Sequence, residues 1–166
     1  VVGAATRVRQ AEQPGCRTVG CVVNRVETAV KVTERLRKDG LECRLWVGRM
    51  RPWDLQQLRA QEPGLFTVEG QPGVDVLVAT QTVEVGIDLD LAAMVTELAS
   101  GSALAQRVGR VNRRGLRGAG EVIVVGPPED NPITRDLLPY AAEDLTAARD
   151  WIVGRSGEDG GLGALR

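Results

Sequence analysis

Short apolar runs alternate with helical periodicities along most of this chain. The run Val-Gly-Cys-Val-Val-Asn at 19–24 predicts a buried strand. Behind it, Val26, Ala29, Val30, Thr33 and Leu36 recur at helical spacing through Lys38, and Asp39-Gly40 stops the pattern. A second strand is predicted over 42–47. Pro52 suits the first position of a helix that runs to Gln61 and ends before the Pro63-Gly64 turn. The run Val-Asp-Val-Leu-Val-Ala-Thr at 74–80 predicts a third strand, 91–98 a fourth and 121–126 a fifth. Helical patterns occupy 102–111 and 137–153, and a Gly-rich, flexible tail is expected beyond them.

Five strands alternating with helices predict an α/β fold of three layers, a mostly parallel sheet with helices on both faces. Continuous Val-rich strands fit a sheet buried on both sides. Ligands of such sheets sit beyond the carboxyl ends of the strands. That directs attention to Asn24-Arg25, to 48–51 and to 80–90.

Composition narrows the classes. The chain has 166 residues, enough for one ordinary domain with a real core. Basic and acidic residues balance at 21 against 22, which excludes a histone-like protein but not a local basic patch. Aromatics are 3%, too few for a row of base-stacking rings. The count of histidines is 0, which excludes His-based triads, dyads and metal centres within the chain. Cys16, Cys21 and Cys43 lack zinc-site spacing, so no metal site is expected, and an odd count points to reduced thiols in a cytoplasm. No apolar run is long enough to span a membrane. The chain starts at Val1 without methionine or a signal pattern and reads as a domain of a longer protein.

The basic patch is at 100–120, which holds five arginines and no acid. On a helix, Gln106, Arg110 and Arg113 would share one face, and Leu104, Val108 and Val111 would pack on the sheet. Guanidinium groups are planar, permanently charged donors suited to phosphate oxygens. After the strongest strand, Thr80, Gln81 and Thr82 offer hydroxyl and amide groups. Gly86 permits close backbone approach, and Asp88 can accept from a ribose. Trp46 and Trp53, on either side of the Arg49/Arg51 loop, are expected to pack rather than to stack on bases.

Taken together, T-x(5)-G-x-D at 80–88 and Q-R-x-G-R-x-x-R at 106–113 resemble motifs V and VI of superfamily 2 helicases. The strand–helix order resembles their second RecA-like domain, with Val19 to Arg25 where motif IV is expected. The runs at 22–29, 47–52 and 110–115 are similar to the CRISPR-associated helicase-nuclease of type I systems.

The resemblance implies roles. Arg110 and Arg113 match arginines that reach the γ-phosphate of ATP, and Gln106 matches a residue that positions the attacking water. Asp88 matches the acid near the ribose, beside Gly86, and Arg107 a structural or interlobe contact. Thr80 matches a threonine on the nucleic-acid backbone, and Asn24, Arg25, Arg49 and Arg51 lie where the tracking strand is held. Many relatives carry a histidine after the second strand, where this chain has Val47-Gly48-Arg49.

The resemblance also implies what lies elsewhere. The chain has no phosphate-binding G-x(4)-G-K-[ST] and no Asp-Glu box, and its lysines are Lys31 and Lys38 alone. ATP with Mg2+ would be held mainly by a first RecA-like lobe of the same parent chain, and an HD nuclease domain would lie outside this segment. The expected division is a helicase lobe at 1–126 and a C-terminal extension at 127–166. The expected activity is that of half of an ATP-dependent motor on single-stranded DNA, inactive alone, acting with a CRISPR surveillance complex and no membrane. The alternatives are a DExH-type RNA helicase lobe and a non-hydrolysing nucleic-acid-binding adaptor.

Overall fold

Four-residue strands, five in all, form the sheet of the computed structural model, which describes residues 1–11, 18–48, 51–127, 131–134 and 139–154. The strands are β1 (Val19–Val22), β2 (Cys43–Trp46), β3 (Val76–Ala79), β4 (Met94–Glu97) and β5 (Val122–Val125). The helices are α1 (Val2–Ala11), α2 (Val26–Lys38), α3 (Pro52–Gln61), α4 (Gly101–Val108) and α5 (Ala142–Val153). The sheet order is β2-β3-β1-β4-β5, and every neighbouring pair is parallel. All predicted strands form, each shorter than its apolar run.

Every residue of β1 and β3 is buried, because helices cover both faces. On one face, Ala5 and Val8 of α1 and Ala29, Val32 and Leu36 of α2 pack on Val19, Cys21, Val76 and Val78. On the other, Trp46, Leu77, Leu89, Leu91 and Met94 gather with Leu65 and Phe66, and Leu55 and Leu58 of α3 pack against them. A third cluster joins Ala103 and Leu104 of α4 to Leu145 and Ala148 of α5. The C-terminal helix therefore shares a core with the helix of the arginine cluster. Residues 155–166 of the expected tail lie outside the described residues, as do Arg49 and Cys16.

The elements depart from expectation at four points. First, α1 has no counterpart in the sequence reading. It packs through Ala5 and Val8, and Arg9 pairs with Asp75 at 2.7 Å.

Second, α4 ends at Val108 rather than 111, with Gly109 as its C-cap. Leu91 captures the next backbone groups: its N–H donates to Arg110 O at 2.8 Å, and its carbonyl accepts Asn112 N–H at 2.8 Å. Asn112 takes a left-handed φ of 45°. Gln106, Arg110 and Arg113 therefore do not form a helix face, although Leu104 and Val111 are buried as the pattern requires.

Third, Trp53 is 63% exposed, whereas Trp46 is packed. The helix over 137–153 is also shorter than its pattern and starts at Ala142.

Candidate nucleotide- and strand-binding surface

The carboxyl ends of β1, β2 and β3 open onto a cleft of about 650 Å3. It is lined by Val26 and Gly48, by Arg51, Pro52 and Leu55 at the start of α3, and by the loop after β3 from Thr80 to Ile87. Gly48 and Gly86 take φ of 88° and 78°, which glycine adopts without strain. The space beside Gly86 is open, so conformation rather than crowding calls for glycine there.

The candidate strand contacts divide. Arg51 is exposed at the cleft and pairs with Asp54 at 2.8 Å, closing the first turn of α3. Arg25 is exposed after β1. Thr80 is buried, and its hydroxyl lies 3.4 Å from that of Thr82, which donates to Gly48 O at 2.8 Å. Asn24 faces inward: its amide donates to Leu98 O at 2.8 Å and its Oδ1 accepts from Arg107 at 3.0 Å. The Asn24 side chain thus holds the fold together at the strand end.

The two candidate phosphate-binding arginines occupy the turn after α4. Arg110 donates from Nε to Val83 O at 2.9 Å and from Nη2 to Glu84 O at 2.6 Å. Burial and then the nearby Arg113 charge draw the Arg110 guanidinium below its ordinary value, with Asp88 acting in the opposite sense. It remains a cation at any physiological pH. Arg113 Nη2 pairs with Asp88 Oδ1 at 2.7 Å, both side chains well exposed. Its main-chain N–H donates to Asp90 Oδ1 at 3.0 Å, which anchors the turn. Gln106 is exposed on α4, one turn before Arg110. Arg110, Arg113, Asp88 and Gly86 therefore belong to one locality, assembled by the turn and the loop after β3.

Two arginines of the cluster serve the interior. Arg107 is fully buried. Its guanidinium meets Glu84 Oε1 at 2.8 Å, Thr96 Oγ1 at 2.8 Å, Asn24 Oδ1 at 3.0 Å and Tyr140 Oη at 2.9 Å. Arg117 pairs with buried Asp90 and donates to Thr67 O and Val68 O. The sequence reading did not find Glu84, Asp90, Arg117 or Tyr140. The count of arginines pointed to the cluster, but nothing local says which of them turn inward.

Among the described residues, no group of three or more His, Cys, Asp or Glu side chains gathers where it could hold a metal ion. No helix there is long and apolar enough to cross a membrane.

A parallel sheet of this order, with Asp88, Arg110 and Arg113 brought together at one surface, is that of a RecA-like lobe of the superfamily 2 helicase class. The sequence model described as CRISPR-associated nuclease/helicase Cas3, C-terminal, matches residues 16–116, and the chain belongs to this family. A curated relative, the putative CRISPR-associated nuclease/helicase Cas3 of Myxococcus xanthus (strain DK1622), is 34% identical over 133 residues, covering 79% of this chain and 17% of the relative.

Crystal structures of T. fusca Cas3 share the fold at 24% identity. One has a TM-score of 0.70 and covers 93% of this chain and 20% of that one. The ATP form has a TM-score of 0.65, covering 94% and 20%. A chain in the pre-nicking CRISPR RNA-guided surveillance complex matches with a TM-score of 0.64 at 23% identity, covering 92% and 21%. The chain spans about a fifth of the length of these relatives.

Proposed function

We propose that this chain is the C-terminal motor lobe of an ATP-dependent translocase that moves along single-stranded DNA beside a CRISPR surveillance complex. The observation that carries the reading is the placement of Arg110, Arg113 and Asp88 together, next to the cleft at the strand ends. In this reading Arg110 and Arg113 act on the γ-phosphate of ATP, Gln106 positions the attacking water and Asp88 meets the ribose. A first RecA-like lobe of the parent protein holds the other phosphates and Mg2+, since this chain lacks the phosphate-binding lysine loop. The lobe alone is then inactive.

Phosphoryl transfer depends on positioning and charge stabilisation, and an arginine supplied from outside can contribute ~10³–10⁵ in rate. Placing the arginines on a second lobe makes hydrolysis conditional on closure. Closure moves the cleft at Thr80 and Arg51, which together with Arg25 and Arg49 hold the strand, so chemistry becomes movement. The T. fusca relative crystallised with ATP and the relative in the surveillance complex support the nucleotide and the partner.

The test is ATP hydrolysis by the parent protein with single-stranded DNA and with single-stranded RNA of the same sequence. Stimulation by DNA alone is the expected result. Stimulation by RNA moves the reading to an RNA helicase lobe, and no hydrolysis with either moves it to a binding adaptor.

A further inference from the structure

Tyr140, just before α5, meets the network beneath the arginine turn through its phenolic hydroxyl. Tyr140 Oη accepts from Arg107 Nη2 at 2.9 Å and donates to Glu84 Oε1 at 3.3 Å, and the Arg107 guanidinium lies 5.9 Å from the centre of its ring. Glu84 is thus held at its carboxylate by Arg107 and Tyr140. The main-chain carbonyl of the same Glu84 accepts Arg110 Nη2 at 2.6 Å, and the adjacent Val83 carbonyl accepts Arg110 Nε. Two fixed carbonyls set the direction of a planar guanidinium, and Glu84 is where the interior network and that guanidinium meet.

We propose that Tyr140 is a positioning residue for Arg110: through Glu84 and Arg107 it fixes the pair of carbonyls on which the Arg110 guanidinium rests. This rests on the reading of Arg110 as a phosphate-facing group. The hydroxyl suits the position because it accepts from a cation and donates to a carboxylate at once, which neither an ammonium nor a carbonyl can do. A phenylalanine would keep the ring against Arg107 and lose both bonds.

The placement of Tyr140 has a second consequence. It lies two residues before α5, and Leu145 and Ala148 of α5 pack on Ala103 and Leu104 of α4. Whatever displaces Tyr140 or α5 then acts on the arginine turn. The functional lobe accordingly extends past residue 126 and includes Tyr140 and α5.

The test uses the parent protein and its DNA-stimulated ATP hydrolysis, with Y140F, R110K and the double variant. Y140F is expected to lower kcat about fivefold, because both bonds of the hydroxyl go while the direct ion pair of Arg107 with Glu84 stays. KM for ATP and affinity for single-stranded DNA, read well below the melting temperature, are expected to stay at wild-type values. R110K is expected to be slow, and Y140F is expected to slow it no further.

Wild-type kcat in Y140F with a slow R110K overturns the relay through Tyr140 alone. So does a loss that adds in full to R110K. An R110K variant at the wild-type rate overturns the reading of Arg110 on which the proposal rests, and the proposal with it.

Discussion

Arg117 and Asp90 pair in the interior with side chains 1% exposed each, and the Asp90 oxygen that takes Arg117 also accepts the Arg113 main-chain N–H. Arg117 further donates to the carbonyls of Thr67, Val68, Leu91 and Asp90. One buried ion pair therefore ties the turn after α4 to the loops on either side of β3. Removing one partner strands a charge in the interior, which costs about 3–5 kcal/mol. Asp90→Ala and Arg117→Ala should each lose stability on that scale in urea unfolding, and a loss below about 1 kcal/mol would contradict the clamp.

Glycines separate into those the fold needs for space and those it does not. A Cβ on Gly64 would stand 2.2 Å from Gly70 O and 2.8 Å from Gln71 Cα, both backbone atoms that cannot step aside. A Cβ on Gly101, the first residue of α4, meets nothing within 4 Å. Gly64→Ala should cost about 1–3 kcal/mol or prevent folding, and Gly101→Ala should be neutral within about 0.5 kcal/mol. Melting temperatures of the two variants test this, and equal values would contradict it.

Burial pushes the Cys21 thiol up to about 12 and the Cys43 thiol up to about 11, from an ordinary value of 9.0. Between the ordinary and the raised values the unfolded chain has lost protons that the folded chain keeps. Stability should therefore be unaffected by these groups below pH 9 and fall as pH rises toward 11 and 12. Iodoacetamide at pH 8 should leave both unlabelled in the folded protein and label both in urea. Rapid labelling of folded Cys21, read by mass spectrometry, would contradict this environment.

Thr82 ties the loop after β3 to the loop after β2 through its bond to Gly48 O, with Thr80 alongside. Thr82→Val removes that bond and keeps the shape. In the parent protein it should raise the concentration of single-stranded DNA needed for half-maximal ATPase stimulation severalfold. An unchanged value would remove this pair of loops from the strand-binding surface.

The centre of the sheet was legible because β1 and β3 lie in nearly continuous apolar runs, a pattern that burial on both faces imposes locally. The helix α1 was not legible: Val2, Ala5 and Val8 keep a three-residue spacing, but Gly3 and the shortness of the segment hide it, and it forms by packing on β1 and β4. The end of α4 was invisible for a similar reason, since the group that stops it, Leu91, lies before β4. At the candidate site, the spacing drew attention to Arg110, Arg113 and Asp88, which the fold brings together. It could not show that Asn24 turns inward or which groups Arg107 meets, because the partners Leu98, Glu84, Thr96 and Tyr140 are distant in the chain. Buried polar networks are set by tertiary neighbours, and a linear pattern carries little trace of them.

The most direct measurement is ATP hydrolysis by the parent protein carrying Arg113→Ala, with binding of single-stranded DNA measured on the same preparation. Arg113 holds its place mainly through its main-chain bond to Asp90 and its exposed pair with Asp88, so truncation should leave the fold intact. Hydrolysis should fall by about 10³ or more while DNA affinity stays within about twofold. Hydrolysis near the wild-type rate would show that Arg113 does not act on the phosphate, and the account of this surface as a motor's arginine-bearing lobe would fall with it.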